Sequence, residues 1–169
     1  VDYTMFFSGS GFDADRFTAA VGNTSRQLLG STHSLWLQQQ MAASSATWQV
    51  LGQQVLMGRM NIPAPILMET IQPGSGVTVS QYAALVARAR TNPASLTPAE
   101  QAILAQPSIP YNLDAWDGYQ AARETVLATS RSLGKNLVVL SGDTHNAWAN
   151  ELQDRNGNTV GVEFATSSV

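Results

Sequence analysis

The chain has 169 residues, of which 44% are hydrophobic and 12% are charged, which is enough for one domain with a buried core. Its net charge of −3 and its few lysines and arginines argue against nucleic acid as a partner, and no nucleic acid-binding surface is evident. No apolar run approaches the roughly 18 to 20 residues of a membrane span. Disulfides are excluded because the chain has no cysteine.

The first part of the chain is predicted to be irregular and then helical. Residues 1–23 carry five aromatic side chains without a clean period, which indicates a small satellite core with a short helical turn near residues 13–20. A helical pattern then begins at Ser31, and either Ser31 or Thr32 is the candidate N-cap.

Residues 48–57 are predicted to form a strand that enters the core. Gln53 and Gln54 interrupt its apolar pattern. This polar pair either bonds neighbouring loops or points toward a site, and the sequence leaves both roles open.

Residues 60–110 are predicted to be a loop followed by a helical insertion. Prolines and glycines recur through residues 61–79, which therefore predict a loop. An apolar stripe predicts a helix over residues 81–90. Thr97, Pro98 and Glu100 match the signature of an N-cap, a first helical position and a capping-box partner, so a second short helix should start there. The insertion either decorates the surface or walls a cleft.

The last third of the chain predicts a helix that leads into a buried strand. Asp117 is the candidate cap of this helix, and Gly134 occupies the usual position after its end. The apolar, β-branched residues 137–140 indicate a strand that is covered on both faces of an α/β sheet. Residues 148–153 and 159–164 flank an Asn-Gly pair, which predicts an antiparallel hairpin.

Gly142 ends this strand, and Asp143 and His145 follow it two positions apart. Strands of this kind carry their chemistry at the carboxyl end, where the chain leaves the sheet. If the local backbone is extended, a carboxylate and an imidazole at this spacing project to the same side and can approach one metal ion. The alternative is a polar turn, in which Asp143 caps neighbouring amides and His145 bonds to a strand edge.

Residues 142–145 (Gly-Asp-Thr-His), between this strand and residues 146–152, resemble the last metal-binding block of the PhoD-like alkaline phosphatases. Three further blocks, at residues 25–57, 112–123 and 160–168, are similar to the family in the same order. This family belongs to the calcineurin-like metallophosphoesterases. The resemblance implies that residues 1–169 are the C-terminal portion of one such domain, with an α/β (α+β) fold. In that fold helices flank a ββ sandwich, and the hairpin is expected in its second sheet.

The resemblance also implies metal-dependent hydrolysis of phosphate monoesters or diesters, with iron and calcium or other divalent metals as cofactors. Asp143 and His145 are implied as metal ligands, His145 also as a catalytic residue, and Asn146 as a partner that orients His145. The other histidine, His33, stands where the family has a glutamine or similar polar residue, which favours a structural role. The upstream ligands are absent, so the implied partner is the remaining N-terminal part of the same enzyme.

The resemblance further implies a secreted or periplasmic location. The alternative function is a non-catalytic structural or interaction fragment that needs a partner segment. A Ser-His-Asp hydrolase is disfavoured, because no Gly-x-Ser-x-Gly elbow occurs in the sequence.

Overall fold

A computed structural model describes residues 2–8 and 11–167. Ser168, the last residue of one of the family-like blocks, lies outside them. The fold is mixed α/β, with a mixed sheet and helices, as predicted. Strands and helices follow in the order β1 (Phe7–Ser8), β2 (Gly11–Phe12), α1 (Ala14–Val21), α2 (Gly30–Ala43), β3 (Trp48–Gly52), β4 (Asn61–Pro63), α3 (Ala64–Ile71), α4 (Val79–Thr91), α5 (Pro98–Leu104), β5 (Ser108–Pro110), α6 (Gln120–Ser132), β6 (Asn136–Ser141), β7 (Trp148–Gln153) and β8 (Thr159–Ala165).

The chain divides into two compact units. Unit 1 contains Val1–Ala20 and Asn61–Tyr111, and unit 2 contains Val21–Met60 and Asn112–Val169. No helix in the described part of the chain is long and apolar enough to cross a membrane.

Unit 1 begins with the small aromatic core that the sequence predicts. Phe6 and Phe17 are buried, and their rings meet edge to face with centroids 5.2 Å apart. Phe12 packs on Phe17 at 5.1 Å, and Tyr3 stacks on the same ring at 6.0 Å. The predicted helical turn is present as α1.

The prediction that residues 61–79 form a loop is wrong for residues 61–71 and correct for residues 72–78. This segment contains β4 and α3, and β4 pairs with β5 in an antiparallel ladder. Pro65 lies in the first turn of α3, where the missing N–H has no intrahelical partner to lose. The prolines therefore begin this helix, and its apolar residues Ile66, Leu67 and Met68 are buried.

The two helices predicted within residues 81–104 are confirmed, and both start with a capping box. Thr97 accepts a hydrogen bond from the Glu100 backbone N–H at 3.3 Å, while Glu100 accepts one from the Thr97 N–H at 2.9 Å. Arg88 on α4 makes a forked ion pair with Glu100, at 2.8 and 2.9 Å. Hydrogen bonds from Arg88, with those from Thr97, lower the pKa of Glu100 to about 2.

The low pKa of Glu100 can be measured directly. We expect its carboxyl to titrate near a pKa of about 2 in a carbon-13 NMR pH series, well below the usual 4.5. Because the folded pKa is depressed, the ion pair stabilises the fold above about pH 4.5, and this contribution is lost as the pH falls toward 2. Arg88→Met should raise the pKa of Glu100. Arg90→Met should leave it unchanged, because Arg90 makes no hydrogen bond to Glu100 in the described structure, and an unchanged titration in Arg88→Met would contradict the assignment.

Unit 2 is built on a four-stranded sheet in the order β3-β6-β8-β7. Strands β3, β6 and β8 are parallel, and β7 pairs antiparallel with β8. The predicted hairpin is therefore confirmed, with Gly157 in its turn at a φ of 80°. Its expected place in a second sheet is wrong, because β8 pairs with β6 and brings the hairpin into the same sheet.

One face of this sheet packs against α2 and α6. Leu137 and Val139 of β6 are buried there with Trp116. The opposite face carries four large apolar side chains that are each 46–62% exposed: Trp48, Val50, Leu140 and Phe164. The prediction that β6 is covered on both faces is therefore wrong for this chain, because the helices cover only one face.

Three local predictions in unit 2 need correction. Helix α2 begins at Gly30 with Leu29 at the cap position, so neither Ser31 nor Thr32 is the cap. Strand β3 ends at Gly52, before the glutamine pair, and not at residue 57. Asp117 does not cap α6, because it is buried in a short 3₁₀ turn that precedes the helix.

The predicted end of α6 is confirmed. Gly134 follows the helix, and its N–H donates to the Arg131 carbonyl at 3.1 Å, while the Lys135 N–H donates to Ser130 at 3.0 Å. These two bonds satisfy carbonyls that the end of a helix leaves unpaired. The chain then enters β6 at Asn136.

Candidate metal centre

The candidate site lies at one edge of the sheet in unit 2. Because β3, β6 and β8 are parallel, their carboxyl ends meet at this edge. The connection from β6 to β7, residues 142–147, leaves the sheet there and carries Asp143 and His145. The hairpin turn between β7 and β8 lies at the opposite edge.

The backbone of this connection is a tight turn and is not extended. Asp143 has a φ of 70° and His145 a φ of 57°, so both residues adopt the left-handed conformation. Between them the Thr144 N–H donates to the Gly142 carbonyl at 2.9 Å. The same-side projection expected for an extended pair therefore does not apply. Left-handed residues other than glycine are uncommon, and they concentrate at functional sites.

The side chains of Asp143 and His145 are exposed. Neither makes a hydrogen bond or ion pair within residues 2–8 and 11–167, so both keep their lone pairs free for a ligand. The bonds that would hold a purely polar turn are thus absent from the described residues. Between the two, the Thr144 hydroxyl oxygen is buried without a hydrogen-bond partner. A buried hydroxyl oxygen without a hydrogen-bond partner, next to two side chains that can ligate a metal, is consistent with a site that gains a ligand.

By ligand type, a carboxylate suits hard ions such as iron or calcium, and an imidazole suits iron and other transition metals. Two ligating side chains are too few to hold such an ion. Among the described residues there is no group of three or more histidine, cysteine, aspartate or glutamate side chains that could hold a metal. The donor set of this chain therefore fits a metal in kind and is incomplete in number.

The residues next to this pair have other contacts. The Asn146 side-chain oxygen accepts a hydrogen bond from the Trp148 indole N–H at 2.5 Å. Trp148 is partly buried and packs against Leu56, Ala115 and Ala165, as expected of a core residue. The orientation of His145 by Asn146 stays a prediction.

His33 lies on a different element from this site. It is exposed on α2, where its Nδ1 is 3.2 Å from the Leu29 carbonyl oxygen. A ring nitrogen bonded to the cap residue of its own helix fits the structural role that the sequence favours for this residue.

The loop that follows β3 is hydrogen-bonded to the connection between β6 and β7. The Gln54 carbonyl accepts a hydrogen bond from the Gly142 N–H at 3.2 Å. The Gln53 side-chain oxygen accepts one from the Trp116 indole at 2.9 Å, and its amide donates to the Val55 carbonyl. Of the two roles left open for this pair, Gln53 therefore takes the first and bonds neighbouring loops.

Sequence reasoning missed one side chain beneath the site, Glu163 of β8. It is fully buried and accepts hydrogen bonds from Ser141 at the end of β6 and from the loop after β3. The alternation of inward-facing and outward-facing residues along β8 could have identified this side chain. Gly161, Glu163 and Ala165 share the core-facing side of this strand, so the only charged residue of β8 points inward.

Two cavities in unit 2 lie away from Asp143 and His145. One has a volume of about 750 Å³ and is lined by α6, Thr24, Gln27 and the hairpin turn near Asp154. The other, of about 310 Å³, lies beside β7 and the same turn. Neither cavity is lined by residues 142–147.

The architecture of unit 2 is that of an α/β domain with its candidate site at the carboxyl edge of a mostly parallel sheet. The model of the PhoD-like phosphatase family matches residues 5–169, and the chain belongs to that family. It is 28% identical over 152 residues to alkaline phosphatase D of Bacillus subtilis (strain 168), a match that covers 87% of this chain and 19% of that protein. A solved structure titled "Structure of PhoD" matches with a TM-score of 0.57 and 28% identity, and it covers 88% of this chain and 22% of the other. The chain therefore spans about one fifth of the length of these relatives.

Proposed function

We propose that this chain is the C-terminal portion of a PhoD-like metallophosphoesterase that hydrolyses phosphate esters, with residues 60–110 as a loop and helical insertion. Asp143 and His145 would each supply one metal ligand, and His145 would contribute to catalysis. The observation that carries this proposal is the turn after β6. Two donor side chains without partners are held there in left-handed conformations at the carboxyl edge of the sheet, in a chain of the PhoD-like family.

The metals proposed are iron and calcium, or other divalent ions. When bound, such ions neutralise the charge of the ester phosphate and make a water molecule nucleophilic near neutral pH. Asp143 would contribute a negatively charged oxygen and His145 a neutral nitrogen. The task of the turn is to present these two donors at a fixed spacing, and Asn146 would orient His145.

The remaining ligands would come from the N-terminal part of the same enzyme. The coverage of about one fifth of each relative supports this, because most of the length of those proteins has no counterpart here. The exposed sheet face supports it as well. Trp48, Val50, Leu140 and Phe164 form a contiguous apolar surface across three neighbouring strands, of a kind that proteins normally cover. A second sheet from the rest of the enzyme would bury this face.

Export to the outside of the cell or to the periplasm goes with this proposal. It rests on the relationship to alkaline phosphatase D alone. Whether the preferred substrate is a monoester or a diester depends on the walls of the cleft, so both classes belong in the assay.

A non-catalytic structural or interaction role is the second candidate. The observation in its favour is the absence, within the described residues, of any group of three ligand-type side chains. The two candidates differ in what they require of Asp143, because a binding module has no need of its free carboxylate.

The test is elemental analysis for iron and calcium on the intact protein that carries this chain, together with assays on a phosphomonoester and a phosphodiester. We expect both metals in the wild type and loss of at least one of them in Asp143→Ala. Asp114→Ala is the matched control, because Asp114 is also an exposed aspartate and lies outside the turn. If the intact protein with Asp143→Ala kept its full metal content and activity, this chain would have a non-catalytic role within that protein.

A further inference from the structure

Glu163 is a buried carboxylate that collects hydrogen bonds from three separate segments of unit 2. Its side chain lies on the core-facing side of β8 with an exposed fraction of 0%. It accepts from the Met57 N–H at 2.7 Å, the Gly58 N–H at 2.6 Å, the Ser141 hydroxyl at 2.8 Å and the Asn150 side-chain amide at 3.2 Å. Four donors on one carboxylate satisfy a charge that would otherwise be costly to bury.

These four donors surround the turn that carries Asp143 and His145. Ser141 is the last residue of β6 and directly precedes the turn, while Asn150 lies on β7 just after it. Met57 and Gly58 belong to the loop after β3, whose Gln54 carbonyl accepts the Gly142 N–H. One carboxylate therefore joins both ends of the turn to the loop that supports it.

The supporting loop is fixed on its other side too. The Arg123 guanidinium, itself buried, donates to the Met57 carbonyl at 2.8 Å, and the Asp117 carboxylate accepts from the Met60 N–H at 3.0 Å. Gly58 allows the close approach, because a Cβ there would lie 2.2 Å from the Asn150 amide nitrogen and 2.9 Å from a Glu163 oxygen. The loop has little freedom to move away from Glu163.

We propose that Glu163 is the positioning residue of the candidate metal centre, and this inference rests on the proposed function of Asp143 and His145. Left-handed backbone at two residues other than glycine persists only where the surroundings hold it. Glu163 supplies that constraint through Ser141, Asn150 and the loop at Met57 and Gly58. It touches neither metal nor substrate, and it acts only through the shape of the turn.

Glu163→Gln in the intact protein tests this role. The amide has nearly the same size, but its NH₂ group meets donors where the carboxylate offered an acceptor. We expect amide hydrogen exchange at Gly142 and Thr144 to accelerate about 10-fold or more in the metal-free protein. We also expect the affinity for iron or calcium to fall about 10- to 100-fold, as it does when supporting partners of metal ligands are lost. The catalytic constant should fall with the metal content, and the KM of fully loaded enzyme should change little.

Asp154→Asn is the matched control. Asp154 is also a buried carboxylate and accepts hydrogen bonds from Asn156, Asn158 and Arg131, but it lies in the hairpin turn at the opposite edge of the sheet. We expect this variant to leave exchange at residues 142–147 and metal affinity unchanged. If Glu163→Gln does not fold, Ser141→Ala removes a single one of the four bonds and should give a smaller change of the same kind.

The positioning role would be overturned if Glu163→Gln kept the amide exchange rates and the metal affinity of the wild type. It would also be overturned if Asp154→Asn showed the same acceleration of exchange and the same loss of metal affinity as Glu163→Gln. Exchange is measured without metal and is therefore independent of the proposed function. A wild-type protein that binds no metal would overturn the proposed function, while faster exchange confined to Glu163→Gln would still establish that Glu163 shapes the turn.

Discussion

We expect His145→Ala to lower phosphate ester hydrolysis by the intact protein at least about 100-fold, which corresponds to a loss of about 2.7 kcal/mol or more of transition-state stabilisation. The imidazole is exposed and makes no hydrogen bond in the described part of the chain, so its removal should not disturb the fold. Thermal unfolding and circular dichroism should match the wild type. The rate is measured at saturating substrate and with metal content determined on the same sample.

His33→Ala is the control for this experiment, because His33 is the second of only two histidines and is also exposed. Its loss should change the rate by less than about twofold, as for most surface substitutions. Wild-type turnover in His145→Ala, with metal content unchanged, would remove the basis for the proposed function.

The largest effect on stability is expected for Trp116→Ala, at about 3–5 kcal/mol of unfolding free energy. Trp116 is 1% exposed and contacts the core formed by α6 and β6, and its indole N–H donates to Gln53 at 2.9 Å. Alanine would leave a cavity and would remove one of the two hydrogen bonds to the Gln53 oxygen, which also accepts from the Val55 N–H at 3.1 Å. Because Gln53 lies in the loop that supports the candidate site, the variant should lose activity at temperatures where the wild type is still folded.

Trp36→Ala is the matched control, since Trp36 is 57% exposed on α2. The same chemical change there should alter the unfolding free energy by no more than about 0.5 kcal/mol. Urea denaturation followed by far-ultraviolet circular dichroism measures both variants without relying on tryptophan fluorescence. Similar stabilities for the two variants would mean that Trp116 does not anchor the core.

Some sequence signals that act over a few residues predicted the structure correctly, although the N-caps expected at Ser31 or Thr32 and at Asp117 are wrong. The capping box at Thr97, the hairpin turn at Gly157 and the helix end at Gly134 each depend on local backbone chemistry, and all three are confirmed. The prolines near α3 give the wrong prediction because proline both ends regular structure and begins helices. Local composition alone does not separate these two uses.

Features that depend on distant partners could not be predicted from local patterns. The hairpin belongs to the same sheet as β6 because β8 pairs with β6. These two strands are separated in the sequence, and no short motif encodes their pairing. The left-handed backbone at Asp143 and His145 depends on the bonds that hold Ser141 and Gly142. For the candidate site, the sequence therefore indicated the residues, while the shape of their turn and the role of Glu163 required the structure.

The ladder between β4 and β5 has a consequence for how this family can vary. Asn61 and Pro110 are directly paired, so the chain departs and returns at adjacent points. Segments with neighbouring ends can be lengthened, shortened or exchanged without displacing what lies on either side. Differences in length among relatives should therefore concentrate between Pro63 and Ser108, where evolution can reshape one region while the strands around Asp143 and His145 stay as they are.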